Sequence, residues 1–324
     1  MKKILNIFVV SFALVFSSSS FANKIGVIYD SGGKFDKSFN ELAFNTAMRV
    51  VNELGWDLIE FEAANGTQIE QGMRKVADRG ATLIVAMGFA QADAVAAVAP
   101  EYPDINFVNV DVCWLDDPAG NIYQACYREH EGSFLVGMIA AMASKTGKVG
   151  FVGGMDIPLI RKFQGGYEQG AKYANPDIEV YSNMTGTTPE AWNNPTKGAE
   201  LTKAQIDKGA DVVYQAAGGT GIGVLQAAAD AGIYGIGVDT NQNWMHPTML
   251  TSMLKRLDLT IFEQAQKTDA GTFEAGIHIL GLAEGMVGFA MEDGQVTAEM
   301  QSAVEAASAD IISGAIVVTD LSQE

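Results

Sequence analysis

Short apolar runs alternate with helical patterns along nearly the whole chain, and they do so in two successive series. That alternation restricts the fold to an α/β architecture, because parallel strands need crossover helices between them. In the first series strands are expected near 24–29, 57–61, 82–87 and 105–110, with helices near 38–54, 68–79 and 90–99. A strand at 122–127 and a largely buried helix over 131–144 follow. The second series opens at Lys148 with KVGFVGG, then runs through IEVYSNM, DVVYQAA and YGIGVD, with helices near 159–174, 196–208 and 221–231. Each half therefore reads as a doubly wound parallel-sheet lobe.

The elements after Asp239 do not simply extend the second half. A strand at 249–255, a helix near 258–268, a strand near 275–282, a polar turn at 292–294, a helix near 297–313 and a last apolar strand at 315–319 are expected there. Shared between the halves, they make the chain cross three times, which is a hinge over a cleft that can close on a ligand. The expected partition puts 23–128 with 252–288 in the first lobe and 129–251 with 289–324 in the second.

Lys2 and Lys3 precede an apolar run that ends in four serines and Phe21-Ala22, the pattern of an export signal cut after Ala22. No later apolar run approaches the roughly 20 residues of a membrane span. With Lys2 and Lys3 removed, the 21 basic residues fall to 19 against 39 acidic ones, a net charge of −20. Such a chain repels polyphosphates at long range, and no basic-aromatic stripe offsets this, so nucleic acid is excluded as a partner. In an oxidising compartment Cys113 and Cys126 have two readings, a disulfide or a metal pair. His130, His246 and His278 share no ligand spacing with them, which leaves no metal site or cofactor to expect.

Candidate binding groups gather at predicted strand ends. The segment Lys24–Tyr29 runs into Asp30, a Gly32-Gly33 turn, and Ser38 with Glu41 three residues on, which reads as a capping box that puts Phe39 and Asn40 in the first helical turn. Other strands end at Gly88-Phe89, Asp111, Gly153-Gly154 with Asp156, Gly218-Gly219 and Asp239. In open parallel sheets ligands dock outside these ends. Carboxylates accept from hydroxyl, amino and ring N–H groups, and Phe39, Phe89, Trp192 or Trp244 can stack on a flat ring. That chemistry suits a sugar, a nucleobase or a nucleoside, whereas an anionic ligand would want more than Lys255. Trp56 reads as core. The run Gly218-Gly219-Thr220-Gly221-Ile222-Gly223 lacks the spacing of a dinucleotide fingerprint, since Val224 and Gln226 stand where glycine is needed. Its glycines instead let backbone approach a ligand or a neighbouring helix.

The chain resembles the basic membrane protein (BMP) family of ABC-transporter substrate-binding proteins, among them purine nucleoside receptors. The likeness rests on Asp30-Ser31-Gly32-Gly33 with Asp36-Lys37-Ser38-Phe39-Asn40, on residues 148–154, 209–213 and 237–242, and on Thr251-Ser252-Met253-Leu254-Lys255. It implies a type I periplasmic-binding-protein fold and no enzymatic activity. It also implies a periplasmic location and docking on an ABC permease served by a cytoplasmic ATPase. Position by position, it implies that Asp30, Asn40 and Asp111 hydrogen-bond a purine, that Phe39 stacks on it and that Trp192 completes the stack. Asp239 and Lys255 would hold ribose hydroxyls, and Gly218 and Gly219 would line the opposite wall. Many relatives carry a lipid-anchor cysteine; none lies near the expected cleavage point here, so free diffusion in the periplasm is expected. The alternatives are a sugar receptor of the same fold, a periplasmic nucleoside-processing enzyme, and a ligand sensor that docks on a membrane receptor.

Overall fold

The computed structural model describes residues 22–63 and 66–323, so the expected export signal lies outside it except for Ala22. The first half is β1 (Lys24–Tyr29), α1 (Phe39–Leu54), β2 (Asp57–Glu62), α2 (Ile69–Asp78), β3 (Leu83–Ala86), α3 (Ala92–Val98), β4 (Asn106–Val110) and β5 (Ile122–Tyr127). After α4 (Glu129–Ala143) the second half repeats the pattern as β6 (Lys148–Met155), α5 (Pro158–Ala174), β7 (Glu179–Gly186), α6 (Pro195–Asp207), β8 (Val212–Ala216), α7 (Thr220–Asp230), β9 (Tyr234–Gly237) and β10 (Met249–Lys255). The chain closes with α8 (Leu257–Asp269), β11 (Gly276–Leu280), β12 (Val287–Phe289) and α9 (Ala298–Ser313).

The strands form two six-stranded sheets, ordered β2-β1-β3-β4-β5-β11 and β7-β6-β8-β9-β10-β12. The order is the same in both halves, so the repeat anticipated from the alternating pattern is a repeat of topology. Central strands such as β3 and β5 are buried along their whole length, as strands covered by helices on both faces must be. Period two sorts β1 between two cores: Ile25, Val27 and Tyr29 pack on the α1 side, while Ile28 packs with Met73 and Val76 of α2. Trp56 is 3% exposed within the first of these cores, as expected.

The chain crosses between sheets after β5, after β10 and between β11 and β12, the expected three-strand hinge. The crossovers lie side by side: Arg128 N donates to Leu280 O and Arg256 N to Met286 O, both at 2.9 Å. Position 252, expected to begin the return to the first lobe, lies inside β10, where Ser252 pairs with Gly237 of β9. The chain therefore leaves the second sheet only after Lys255.

Three local expectations are corrected. Residues 315–319 are not a strand; Thr319 is held instead through Gln169, whose side chain both accepts from Thr319 N and donates to its carbonyl at 2.9 Å. The last strand of the second sheet is β12, antiparallel to β10. The capping box also fails: Asp36 caps α1, accepting from the backbone N–H groups of Ser38, Asn40 and Glu41 at 2.9 to 3.1 Å. The two oxygens of a carboxyl group at a helix N-terminus answer several free donors at once, which frees the Ser38 hydroxyl for another partner.

Candidate functional site

The ends of β1, β3 and β4 in one lobe face the ends of β6, β8 and β9 in the other across a cleft with about 540 Å³ between its walls, mouth included. Strand order reverses between β1 and β3, and between β6 and β8, so both switch points open on this cleft.

On the first wall Asp30 is fixed by three bonds. Its Oδ1 accepts from Asn40 Nδ2 at 2.6 Å and from Gly32 N at 2.8 Å, and its own N–H donates to Asn40 Oδ1 at 3.1 Å. Asn40 Nδ2 also reaches Gly33 O and Asp36, so this fully buried side chain stands behind Asp30 and does not line the cleft. Phe39, one residue into α1, does line it, with Phe89.

On the second wall Trp192 lies in a short 3-10 turn, its ring close against Gly154. A Cβ at Gly154 would fall 2.3 Å from the indole, so glycine is required for that seat. Gly218 lines the same wall, whereas Gly219 sits beside it between the carbonyls of Trp192 and Gly32. Farther along the glycine run, Gly223 permits close packing on Pro195 of α6, so the run serves both the cleft and a neighbouring helix.

Asp111 and Asp239 follow β4 and β9, equivalent strands of the two sheets, and both adopt left-handed backbone with φ of 66° and 65°. Such strain, of order 1–3 kcal/mol each, persists where the surroundings enforce it and clusters at functional sites. Between the acids lies Lys255, 1% exposed at the end of β10. Its Nζ is 2.5 Å from Asp111, 3.1 Å from Glu129 at the start of α4, and 5.3 Å from the centre of the Phe39 ring. Burial works against the Lys255 charge, but Asp111, Glu129 and Asp239 together hold its pKa above the ordinary value. Burial raises the pKa of Asp30, Asp111 and Asp239, that of Asp111 to about 6 despite the adjoining ammonium, and that of Asp36 to about 7. The site is thus rich in acceptors, and its one central cation is already engaged.

A family model described as ABC transporter substrate-binding protein PnrA-like (Bmp) matches residues 22–322. The chain belongs to the Bmp family. It is 34% identical over 303 residues to basic membrane protein A2 of Borrelia garinii subsp. bavariensis, covering 91% of this chain and 88% of that one. It is 32% identical over 319 residues to a Lactococcus lactis subsp. cremoris protein named ABC transporter nucleoside-binding protein BmpA, covering 91% and 88%. Among solved structures, an ABC transporter solute-binding protein from Aeropyrum pernix K1 superposes with a TM-score of 0.81 at 29% identity, covering 92% and 94%. The fold is the type I periplasmic-binding fold, and the protein is the substrate-binding component of an ABC transporter, carrying a small molecule to a permease and its ATPase. Among the described residues no helix is long and apolar enough to cross a membrane.

In this Bmp protein eight residues singled out from sequence line the cleft: Asp30, Phe39, Phe89, Asp111, Trp192, Gly218, Asp239 and Lys255. Asn40 and Gly219 do not. Trp244 is 61% exposed elsewhere, and Asp156 is engaged by Arg161 in a bidentate pair. Sequence reading missed Asp36, Glu129 and the α5 face formed by Leu159, Ile160 and Phe163; the apolar spacing in PLIRKF was the available signal for that face. Cys113 and Cys126 form a disulfide, tying the loop after Asp111 to β5.

The freed Ser38 hydroxyl donates to Asp239 Oδ2 at 2.6 Å, and Gln242 Nε2 donates to Lys37 O at 2.9 Å. Both bonds join the lobes. Ser38→Ala should therefore lower the population of the closed form and weaken ligand binding about tenfold, by loss of one bond to a carboxylate. Titration calorimetry checks the affinity; a dissociation constant within twofold of wild type would remove Ser38 from the closing contacts.

Proposed function

We propose that the cleft holds a purine nucleoside or nucleobase, which the protein delivers to its permease. The observation that carries this is the pairing of aromatic walls from both lobes, Phe39 and Trp192, with carboxylates that are half-buried at Asp30 and buried at Asp111 and Asp239. A purine offers a face for stacking and N–H groups for Asp30 and Asp111; a ribose offers hydroxyls for Asp239. Lys255, neutralised by Asp111 and Glu129, leaves no strong claim for a phosphate. The name of the Lactococcus relative supports the same ligand class. Asn40 acts through Asp30, which it orients. Residues 1–22 serve as the export signal, and the lobes close over the ligand about the three crossovers in the periplasm.

A sugar also suits acids beside a tryptophan, and competition separates the two readings. Equilibrium dialysis of labelled adenosine or guanosine against unlabelled free bases and against ribose should show displacement by bases; displacement by ribose and not by bases would overturn the purine reading.

The acids also give affinity a pH dependence. Asp111 is a charged acceptor through both oxygens only when ionised, and burial lifts its pKa to about 6, above that of a free aspartate. Affinity should be constant above about pH 7 and fall up to tenfold per unit below 6, as protonation removes the charge and turns one acceptor oxygen into a donor. Titration calorimetry between about pH 5 and 8 measures this; affinity rising on acidification would contradict the assignment.

A further inference from the structure

A second chamber adjoins the cleft on its hinge side. Phe89, Asp111 and Leu159 line both spaces, so the two meet at Asp111. The chamber lies between the lobes: Trp114, Tyr127 and the Cys113–Cys126 disulfide form one wall, and Ile157, Pro158 and Lys162 at the start of α5 form the other. With about 860 Å³ between its walls, mouth included, it exceeds the cleft itself. Its charged end is internally matched, with Lys162 Nζ 3.6 Å from Glu129 and 3.8 Å from Asp320. The remaining walls are apolar, and the Trp114 indole is 61% exposed there, held beside the disulfide.

We infer that this chamber is a specificity subsite that accepts an apolar, ring-sized arm attached to the ligand edge facing Asp111. The inference rests on the nucleoside or nucleobase reading. Three observations carry it: the shared lining at Asp111, the apolar walls contributed by both lobes, and an exposed indole with no packing role to explain it. The Glu129 carboxylate, fully buried and ion-paired with Lys255 and Lys162, marks the inner limit of the arm. Contact of an aromatic arm with Trp114 contributes a modest increment, about three- to tenfold in affinity.

Titration calorimetry with adenosine and guanosine, and with their benzyl derivatives on the exocyclic amine and on the 5′ oxygen, tests this on wild type and Trp114→Ala. The expected result is that at least one benzyl derivative binds wild type as well as its parent nucleoside. It should lose about three- to tenfold in Trp114→Ala, while the parent changes by less than about twofold. Because Trp114 is exposed, the unliganded variant should melt with wild type. Exclusion of every benzyl derivative while a parent binds would overturn the subsite and leave the nucleoside reading standing. Equal losses for parent and derivative would also overturn it. Failure of both parents and all derivatives to bind would remove the nucleoside reading and this inference with it.

Discussion

Replacing Lys255 by methionine is expected to destabilise the protein by about 3–5 kcal/mol near neutral pH, the usual cost of leaving buried charge uncompensated. Methionine keeps much of the length of the side chain, so the loss comes from charge. Asp111 at 2.5 Å and Glu129 at 3.1 Å would face each other with no cation between them, and Asp239 lies in the same field. The sign with pH follows. Burial raises Asp111 to about 6 even with Lys255 present, and removing the ammonium raises it further. A carboxyl whose folded pKa lies above its unfolded value contributes stability below the unfolded pKa and loses it as pH rises through the folded one. The deficit of Lys255→Met should therefore be largest at about pH 7.5 and shrink toward pH 5, where Asp111 protonates. Urea unfolding at both pH values measures it. A deficit below about 1 kcal/mol at each would show that the acids are not held ionised by Lys255.

Asp239→Asn should weaken nucleoside binding by about 1.5–3 kcal/mol, roughly 10- to 150-fold, because a charge-assisted acceptor for hydroxyls is lost. The residue is well placed for that loss to be felt: it is 7% exposed, it bonds Ser38 of the opposite lobe at 2.6 Å, and its backbone is left-handed. Asparagine tolerates that backbone, so the fold should survive. Burial raises the Asp239 pKa, so neutralising the side chain relieves an unfavourable charge, and thermal stability should hold or rise while affinity falls. Calorimetry together with a melting curve separates the two effects. Affinity within threefold of wild type would remove Asp239 from the ligand contacts.

Most of the fold was legible because parallel strands buried on both faces leave continuous apolar runs, as in β3 and β5. The failures have local causes. β12 is three residues with a central glycine, too short to show a period, and only its pairing with β10 makes it a strand. Residues 315–319 carry the apolar character of a strand, yet Val317 is 80% exposed. Composition marked that segment, but its backbone bonds go to no strand: Thr319 bonds the Gln169 side chain, Ile316 N the Asp310 carbonyl and Ala315 N the Ser313 hydroxyl. At α1 the Ser38–Glu41 spacing was a true motif, but the two oxygens of Asp36 compete for the same donors and take them.

The cleft was legible for a topological reason: strand ends converge whatever the loops contain, which brought Asp30, Asp111 and Asp239 together. What sequence could not show is which polar groups are already engaged. Asn40 looks like a ligand donor until its amide is seen bonded to Asp30, Gly33 and Asp36. Glu129 looks like an acid that merely complements a helix N-terminus. Its pairing with Lys255 arises only because two crossovers of the hinge lie side by side.

The central claim, a purine nucleoside or nucleobase held between the lobes, is tested most directly by thermal unfolding of protein stripped of co-purified ligand by unfolding and refolding. The panel is nucleosides, free bases, sugars and amino acids. A ligand at about 100 times its dissociation constant adds about 2.7 kcal/mol, a midpoint rise of roughly 5 °C for a chain of this size. The account predicts such a rise with purine nucleosides or bases, and none with sugars or amino acids. A rise with sugars alone, or with amino acids alone, would contradict it.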